Sequence, residues 1–313
     1  MRQDKILIVG TGALGSFYGA LLSKAGADVS VVCRSDYPTV KQNGFQIKSD
    51  ELGNWTFKPS QVLKSTAEYK DQADYIILCT KVIPEIDCVE LIKPAVDSET
   101  RITLIQNGVE IEQPLVKAFP DNEIISGLAF VCCNRIAPGL THHIAYGKLT
   151  LGQVNQAGQA SISSQHLADL INKAGIESKV SEQILTDRWL KCLWNAPFNP
   201  LSVLSGGLST ADILSTQEVL IRKIMQEVMH IAHACGHPLA ADSIETNIRN
   251  TYAMPPYKTS MLLDYERYQT MEIEAILGNT LSAAKREKIS CPTLETLYSL
   301  MKLIEIRVNK IQH

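Results

Sequence analysis

The sequence predicts an α/β fold class: a mostly parallel, doubly wound sheet in the N-terminal part of the chain, followed by an all-helical C-terminal domain. Three observations carry this expectation. Short β-branched runs alternate with helical patterns from residue 5 to residue 133, strand signals stop after residue 181, and 313 residues exceed the usual span of one domain.

The first strand-like run, residues 6–9, passes directly into Gly10-Thr11-Gly12-Ala13-Leu14-Gly15, which opens a helical pattern. In that setting each glycine has its own task. Gly10 makes the tight turn, Gly12 lets backbone approach a pyrophosphate, and Gly15 allows close helix-to-strand packing, while the helix N-terminus stabilises the anion. The loop is therefore read as a Rossmann-type cofactor site that includes Thr11, Ala13 and Leu14. The competing reading is a plain strand-turn-helix connection. The second run, residues 28–33, ends in Cys33-Arg34-Ser35, where an NAD enzyme usually carries a carboxylate for the ribose 2′-hydroxyl. Arg34 instead offers a guanidinium to a 2′-phosphate, so NADPH is the expected cofactor. Two features complicate this: Asp36 stands close by, and a solvated surface arginine would look the same.

Residues 45–47 and 55–57 flank Asp50-Glu51-Leu52-Gly53-Asn54 and read as a hairpin inserted in the Rossmann order. Runs at 75–79, 102–105 and 124–133 supply further strands. Thr80-Lys81 follows the first of these and Gln106-Asn107-Gly108 the second, at strand ends where open α/β sheets bind ligands. Strand character at 142–145 and 148–151 surrounds Tyr146-Gly147, a polar helix is expected over 163–174, and a last strand over 177–180. The boundary is placed at 181, giving residues 1–181 as an NADP-binding domain and 182–313 as a helical substrate and catalytic domain. In the latter, segments 189–195, 217–235, 240–252, 261–288 and 293–310 show helical apolar spacing, punctuated by Pro197, Pro200, Pro238, Pro255-Pro256 and Pro292.

Composition excludes several partner classes. A net charge of -3 with 20% charged residues leaves no broad field for nucleic acid or an anionic membrane, so the partner is expected to be a small molecule. No apolar run is long enough for a transmembrane helix. The N-terminus enters a strand at once, without an apolar stretch and cleavage site, so secretion is not expected. The 8 cysteines form no Cys-x-x-Cys pair and fall mostly in apolar runs, which fits a reducing cytoplasm; vicinal Cys132-Cys133 is weighed as a redox pair and set below inert burial. No metal site is expected: His142-His143 point to opposite faces of a strand, and His230, His233 and His237 lack acidic companions.

The run Trp189-Leu190-Lys191-Cys192-Leu193-Trp194-Asn195-Ala196-Pro197-Phe198-Asn199-Pro200 places Lys191, Asn195 and Asn199 on one face of a continuing helix, with the prolines liable to bend its later part. Spacing alone leaves a solvated stripe and a buried hydrogen-bonding site equally open. Taken with the glycine loop, Gln106-Asn107-Gly108, and Thr259-Ser260-Met261-Leu262 followed by Glu272, however, the chain resembles the ketopantoate reductase (2-dehydropantoate 2-reductase) family. These landmarks occur in family order over nearly the whole chain.

The resemblance implies NADPH-dependent reduction of 2-dehydropantoate to pantoate, on the route to pantothenate and coenzyme A. It also implies a C-terminal domain of the 6-phosphogluconate dehydrogenase C-terminal-like kind. Residue by residue, it makes Lys191 the general acid, Asn195, Asn199 and Ser260 substrate ligands, Glu272 a partner in the lysine network, and Lys81 and Asn107 the cofactor–substrate junction. The chemistry agrees: hydride arrival at a ketone carbon builds negative charge on oxygen, which a hydrogen-bonded ammonium stabilises and protonates. The chain departs from the family where Glu274 replaces an aspartate and where the later Asn-Gly pair is inverted as Gly278-Asn279. Other readings share parts of this pattern. A reductase of another small 2-keto or 3-hydroxy acid shares the architecture. A non-catalytic NADPH-sensing regulator would keep the glycine loop but have little use for Lys191. The apolar helical half is compatible with a homodimer without fixing a subunit number.

Overall fold

The computed structural model describes residues 2–155, 161–254 and 258–312, so Pro255-Pro256 lie outside the described residues. The chain divides into two compact units. One comprises the chain up to Lys81 with Glu85–Gln106 and Glu112–Ile184; the other comprises Val82–Pro84, Asn107–Ile111 and the chain from Leu185 onward.

The first unit is built on β1 (Lys5–Val9), β2 (Asp28–Val32), β3 (Phe45–Ser49), β4 (Trp55–Phe57), β5 (Val62–Leu63), β6 (Tyr75–Leu78), β7 (Arg101–Ile105), β8 (Ile124–Ala137), β9 (Leu140–Gln153) and β10 (Ser178–Val180). Among the described residues these form one sheet in the order β4-β3-β9-β8-β7-β6-β1-β2-β5, with β10 also paired to β9. Among the described residues, only β3–β4 and β8–β9 pair antiparallel. The central strands read as continuous apolar runs because helices cover both faces: Ile6, Leu7 and Ile8 are wholly buried. β3, near the edge, alternates instead, burying Phe45, Ile47 and Ser49 and exposing Gln46 and Lys48. It pairs with β4 as the hairpin read from the sequence, Phe45 opposite Phe57 and Ile47 opposite Trp55.

The two runs expected around Tyr146-Gly147 are one strand, β9, which absorbs the interruption as an irregularity. Tyr146 (φ 68) and Gly147 (φ 110) adopt left-handed backbone, the register with β8 shifts between Phe130 and Val131, and the Tyr18 hydroxyl donates to the Gly147 carbonyl at 2.9 Å. The helices of this unit are α1 (Ala13–Ala25), α2 (Tyr37–Asn43), α3 (Cys88–Ile92), α4 (Gln113–Ala118) and α5 (Ile162–Lys173).

The second unit carries α6 (Ile184–Leu204, from its second residue on), α7 (Thr210–Ala234), α8 (Ser243–Ala253), α9 (Ser260–Glu266), α10 (Asn279–Glu287) and α11 (Pro292–Gln312). Its core gathers Leu193, Phe198, Ile221, Met225, Ile276, Leu294 and Met301. α6 runs through both Pro197 and Pro200. α7 begins before the expected residue 217: the Ser209 hydroxyl caps it, and Gln217 (φ -129, ψ 31) marks a kink between its two parts.

The pattern over 261–288 is not one helix. α9 stops in a Schellman closure in which the Tyr268 N–H donates to Tyr265 O at 3.0 Å and the Gln269 N–H to Asp264 O at 2.8 Å. The left-handed residue that such a cap needs is Tyr268 (φ 53) rather than a glycine, which is why composition did not announce the stop. Helix resumes only at Ile273, in a π turn over Glu274–Gly278 that leads into α10.

Candidate active site

In the first unit the glycine loop has the geometry of an anion cradle. Gly10 takes φ 94, and a Cβ there would lie 2.6 Å from Thr80 backbone. A Cβ on Gly15 would lie 2.1 Å from the Gly10 carbonyl, so α1 packs onto the turn as closely as it does only with glycine. At Gly12 a Cβ would meet nothing within 4 Å, and no side chain caps the first turn of α1. Open space above uncapped helix N–H groups fits a pyrophosphate. The Thr11 hydroxyl turns inward, donating to Cys33 Sγ at 3.1 Å. Ala13 and Leu14 form the half-exposed first turn of α1.

Beyond β2, Arg34 is exposed, and its side chain has no hydrogen bond or ion pair among the described residues. Asp36 is buried against Arg135, and its carboxyl is held below the usual range. Burial pushes it up, but Arg135, the Gly139 N–H and Ser35 together outweigh that. Gln106 staples two strand ends by donating to Thr80 O at 2.8 Å and Thr80 Oγ1 at 3.0 Å. Lys81 ends this unit's first segment, half-buried.

In the second unit three sequence-predicted residues meet directly. Lys191 Nζ donates to Asn107 Oδ1 at 2.9 Å, and Asn107 Nδ2 donates to Glu272 Oε2 at 3.1 Å. The other carboxylate oxygen, Oε1, accepts the Val82 N–H at 3.0 Å. The helix break described above matters here, because Glu272 precedes the resumed helix instead of lying within one. Asn107 is set by Gly108, whose φ of 113 and close fit against Ala275, 2.6 Å from its carbonyl to a would-be Cβ, admit no side chain.

Lys191 lines a small pocket together with Gly108, Arg188, Cys192, Asn195 and Ile276. Desolvation pulls the lysine down to about 8, the neighbouring Arg188 charge adds to that fall, and Glu272 opposes it. Asn195 is 8% exposed, and its side chain makes no hydrogen bond to any described residue. Asn199, one turn further, is buried and is not among the lining residues. It connects to Ser260 through a chain of contacts: Ser202 Oγ donates to Asn199 O at 2.8 Å and lies 2.7 Å from Thr259 Oγ1, and Thr259 caps the helix that exposed Ser260 begins.

Sequence reasoning missed three participants. Arg188, 2% exposed, donates to Gly108 O at 3.0 Å; its place three residues before Lys191 on the same helix was the available signal. The Val82 N–H is a backbone group and leaves no trace in composition. Arg135 is 99 residues from Asp36.

The cysteines are free thiols, and burial pushes Cys79 and Cys133 up to about 12, which makes them poor nucleophiles. His143 is buried between Ser49 Oγ and Tyr146 O, while His142 faces Asp50. Among the described residues no cluster of three or more His, Cys, Asp or Glu could hold a metal, and no helix is long and apolar enough to cross a membrane.

A glycine-loop sheet and a helical unit bearing a lysine-centred cluster, joined in one chain, define a nicotinamide-dependent oxidoreductase as the class. Residues 6–156 match the family model for ketopantoate reductase PanE/ApbA, and residues 183–305 match that for its C-terminal domain. A 2-dehydropantoate 2-reductase from Nostoc sp. (strain PCC 7120 / SAG 25.82 / UTEX 2576) is 32% identical over 98% of this chain and 97% of its own. The crystal structure of 2-dehydropantoate 2-reductase from Methylococcus capsulatus is 54% identical, covers 97% of each chain and superimposes with a TM-score of 0.92. The chain belongs to the ketopantoate reductase PanE/ApbA family. At the level of fold alone it also resembles D-mandelate dehydrogenase solved with NADH and anilino(oxo)acetate, 23% identical over 97% of this chain and 99% of that one, with a TM-score of 0.87.

Proposed function

We propose that the protein is a cytoplasmic NADPH-dependent 2-dehydropantoate 2-reductase, forming (R)-pantoate for pantothenate and coenzyme A synthesis. In this reading residues 1–181 hold the cofactor and 182–313, with the short segments at Val82–Pro84 and Asn107–Ile111, hold the substrate and the acid. The observation that carries it is the Lys191–Asn107–Glu272 chain of hydrogen bonds beside a pocket that Asn195 also lines.

Gly10 to Gly15 would seat the pyrophosphate, Arg34 the 2′-phosphate, and Lys81 and Asn107 the junction with substrate. NADPH, when bound, supplies a hydride to the keto carbon. Lys191, with a proton affinity near neutrality, transfers a proton from Nζ to the keto oxygen as negative charge develops there, so the ketone becomes a secondary alcohol. Glu272 favours the charged lysine before that transfer, and Asn107 fixes the direction in which one of its N–H bonds points. Asn195, Asn199 and Ser260 offer neutral donors and acceptors to the substrate's hydroxyl and carboxylate.

The test is steady-state loss of NADPH absorbance with ketopantoate, run beside NADH and a panel of other 2-oxo acids. Ketopantoate-selective turnover with NADPH is expected. Turnover with another 2-oxo acid alone transfers the site to that substrate, and preference for NADH removes the Arg34 assignment.

A further inference from the structure

Asp36 stands four residues beyond β2, where a carboxylate opposes a 2′-phosphate, yet it is 4% exposed and its oxygens are engaged. Oδ2 accepts from Arg135 Nε and from the Gly139 N–H, each at 2.9 Å. Oδ1 accepts from Ser35 Oγ at 3.0 Å and from a second nitrogen of the same guanidinium. Arg135 thus grips both oxygens in the fork geometry that suits a carboxylate, and it also reaches Ser35 Oγ, next to Arg34, at 3.5 Å. Its side chain is still 31% exposed. Asp36 is thus turned inward onto Arg135, while Arg34, two residues before it in the chain, is exposed.

We propose that Arg135, which sequence reasoning did not single out, is a specificity-determining residue for the cofactor: it masks Asp36 and so leaves a net cationic rim, with Arg34 outermost, for a 2′-phosphate. The proposal rests on the NADPH reading above. A purely mechanical role is the competitor, because Asp36 also ties down Gly139 in the Pro138-Gly139 turn between β8 and β9. The two roles separate by ligand. An unmasked carboxylate penalises NADPH and not NADH, whereas a loosened turn affects both.

The test is calorimetric binding of NADPH, NADH and adenosine 2′,5′-bisphosphate to wild type, Arg135→Met, Asp36→Asn and the double variant, each checked for folding. Arg135→Met is expected to weaken NADPH and the bisphosphate about tenfold while leaving NADH unchanged, and the added Asp36→Asn to restore most of that loss. Asp36→Asn alone is expected to bind NADPH at least as well as wild type. Parallel loss of NADPH and NADH in Arg135→Met, or no loss of NADPH, overturns the proposal. If Arg135→Met does not fold, weaker NADPH binding by folded Asp36→Asn overturns it. Failure of the NADPH reading is distinguishable, since wild type itself would then bind NADH as tightly as NADPH.

Discussion

Lys191 and Glu272 are joined through a single side chain: Asn107 accepts from the lysine at 2.9 Å with its oxygen and donates to the carboxylate at 3.1 Å with its nitrogen. The amide therefore orients an ammonium donor and anchors the acid that keeps it charged. Asn107→Ala is expected to lower kcat by about tenfold, the cost of about one hydrogen bond to a charged group, with a smaller change in NADPH affinity. Stopped-flow rates and cofactor titrations check this; an unchanged kcat contradicts it.

The pH dependence of kcat/KM carries a sign. Lys191 must be protonated to act as acid, and its affinity is pulled down to about 8, so the rate is expected to fall as pH rises through about 8. Arg188→Met removes a cation that depresses the lysine and should move that limb to higher pH. Glu272→Gln removes the charge that supports it and should move the limb to lower pH. Limbs that stay fixed in both variants assign the ionisation elsewhere.

Gly278→Ala tests the π turn. A Cβ there would lie 2.2 Å from Glu274 Oε2, and that carboxylate is held in place by the Tyr298 hydroxyl at 2.9 Å and by Lys302 at 2.8 Å. Admitting the methyl makes the carboxylate turn away and give up those contacts, so a modestly lower Tm is expected, with partial recovery in the Gly278→Ala, Glu274→Ala double variant. Equal Tm values for Gly278→Ala and wild type contradict the geometry. The inverted Gly278-Asn279 pair and the longer Glu274 are thereby explained together: the glycine makes room for the carboxylate, while Asn279 donates to Val109 O at 2.8 Å.

Burial lowers the affinity of His143 for a proton from 6.5, against smaller opposing contributions from its hydrogen bonds. Because the unfolded chain takes up that proton first, stability is full above about pH 6.5 and declines as pH falls below it. Urea midpoints at neutral and acid pH should separate wild type from His143→Gln, with the wild type losing more on acidification. Parallel loss in both would place the acid sensitivity in another group.

The sheet was legible because its central strands are buried on both faces and so carry unbroken apolar runs, and the glycine loop because Gly10 and Gly15 occupy places that no side chain fits. Helical spacing put Lys191 and Asn195 on one face but left a solvated stripe as open as a buried site, and only the family resemblance singled them out. The break after α9 was not, since a tyrosine fills a position usually marked by glycine. The Asp36–Arg135 pair and the Val82 N–H were hidden for another reason: partners 99 and 190 residues apart are set by tertiary structure, and one of them is backbone.

Proton delivery by Lys191 is the step on which the proposed reduction turns. The most direct measurement is turnover of ketopantoate by Lys191→Ala with NADPH binding recorded on the same preparation. NADPH affinity is expected to stay close to wild type and kcat to fall by about a hundredfold to ten-thousandfold, the range of general acid catalysis. A folded Lys191→Ala that binds NADPH and turns over ketopantoate at the wild-type rate would contradict it.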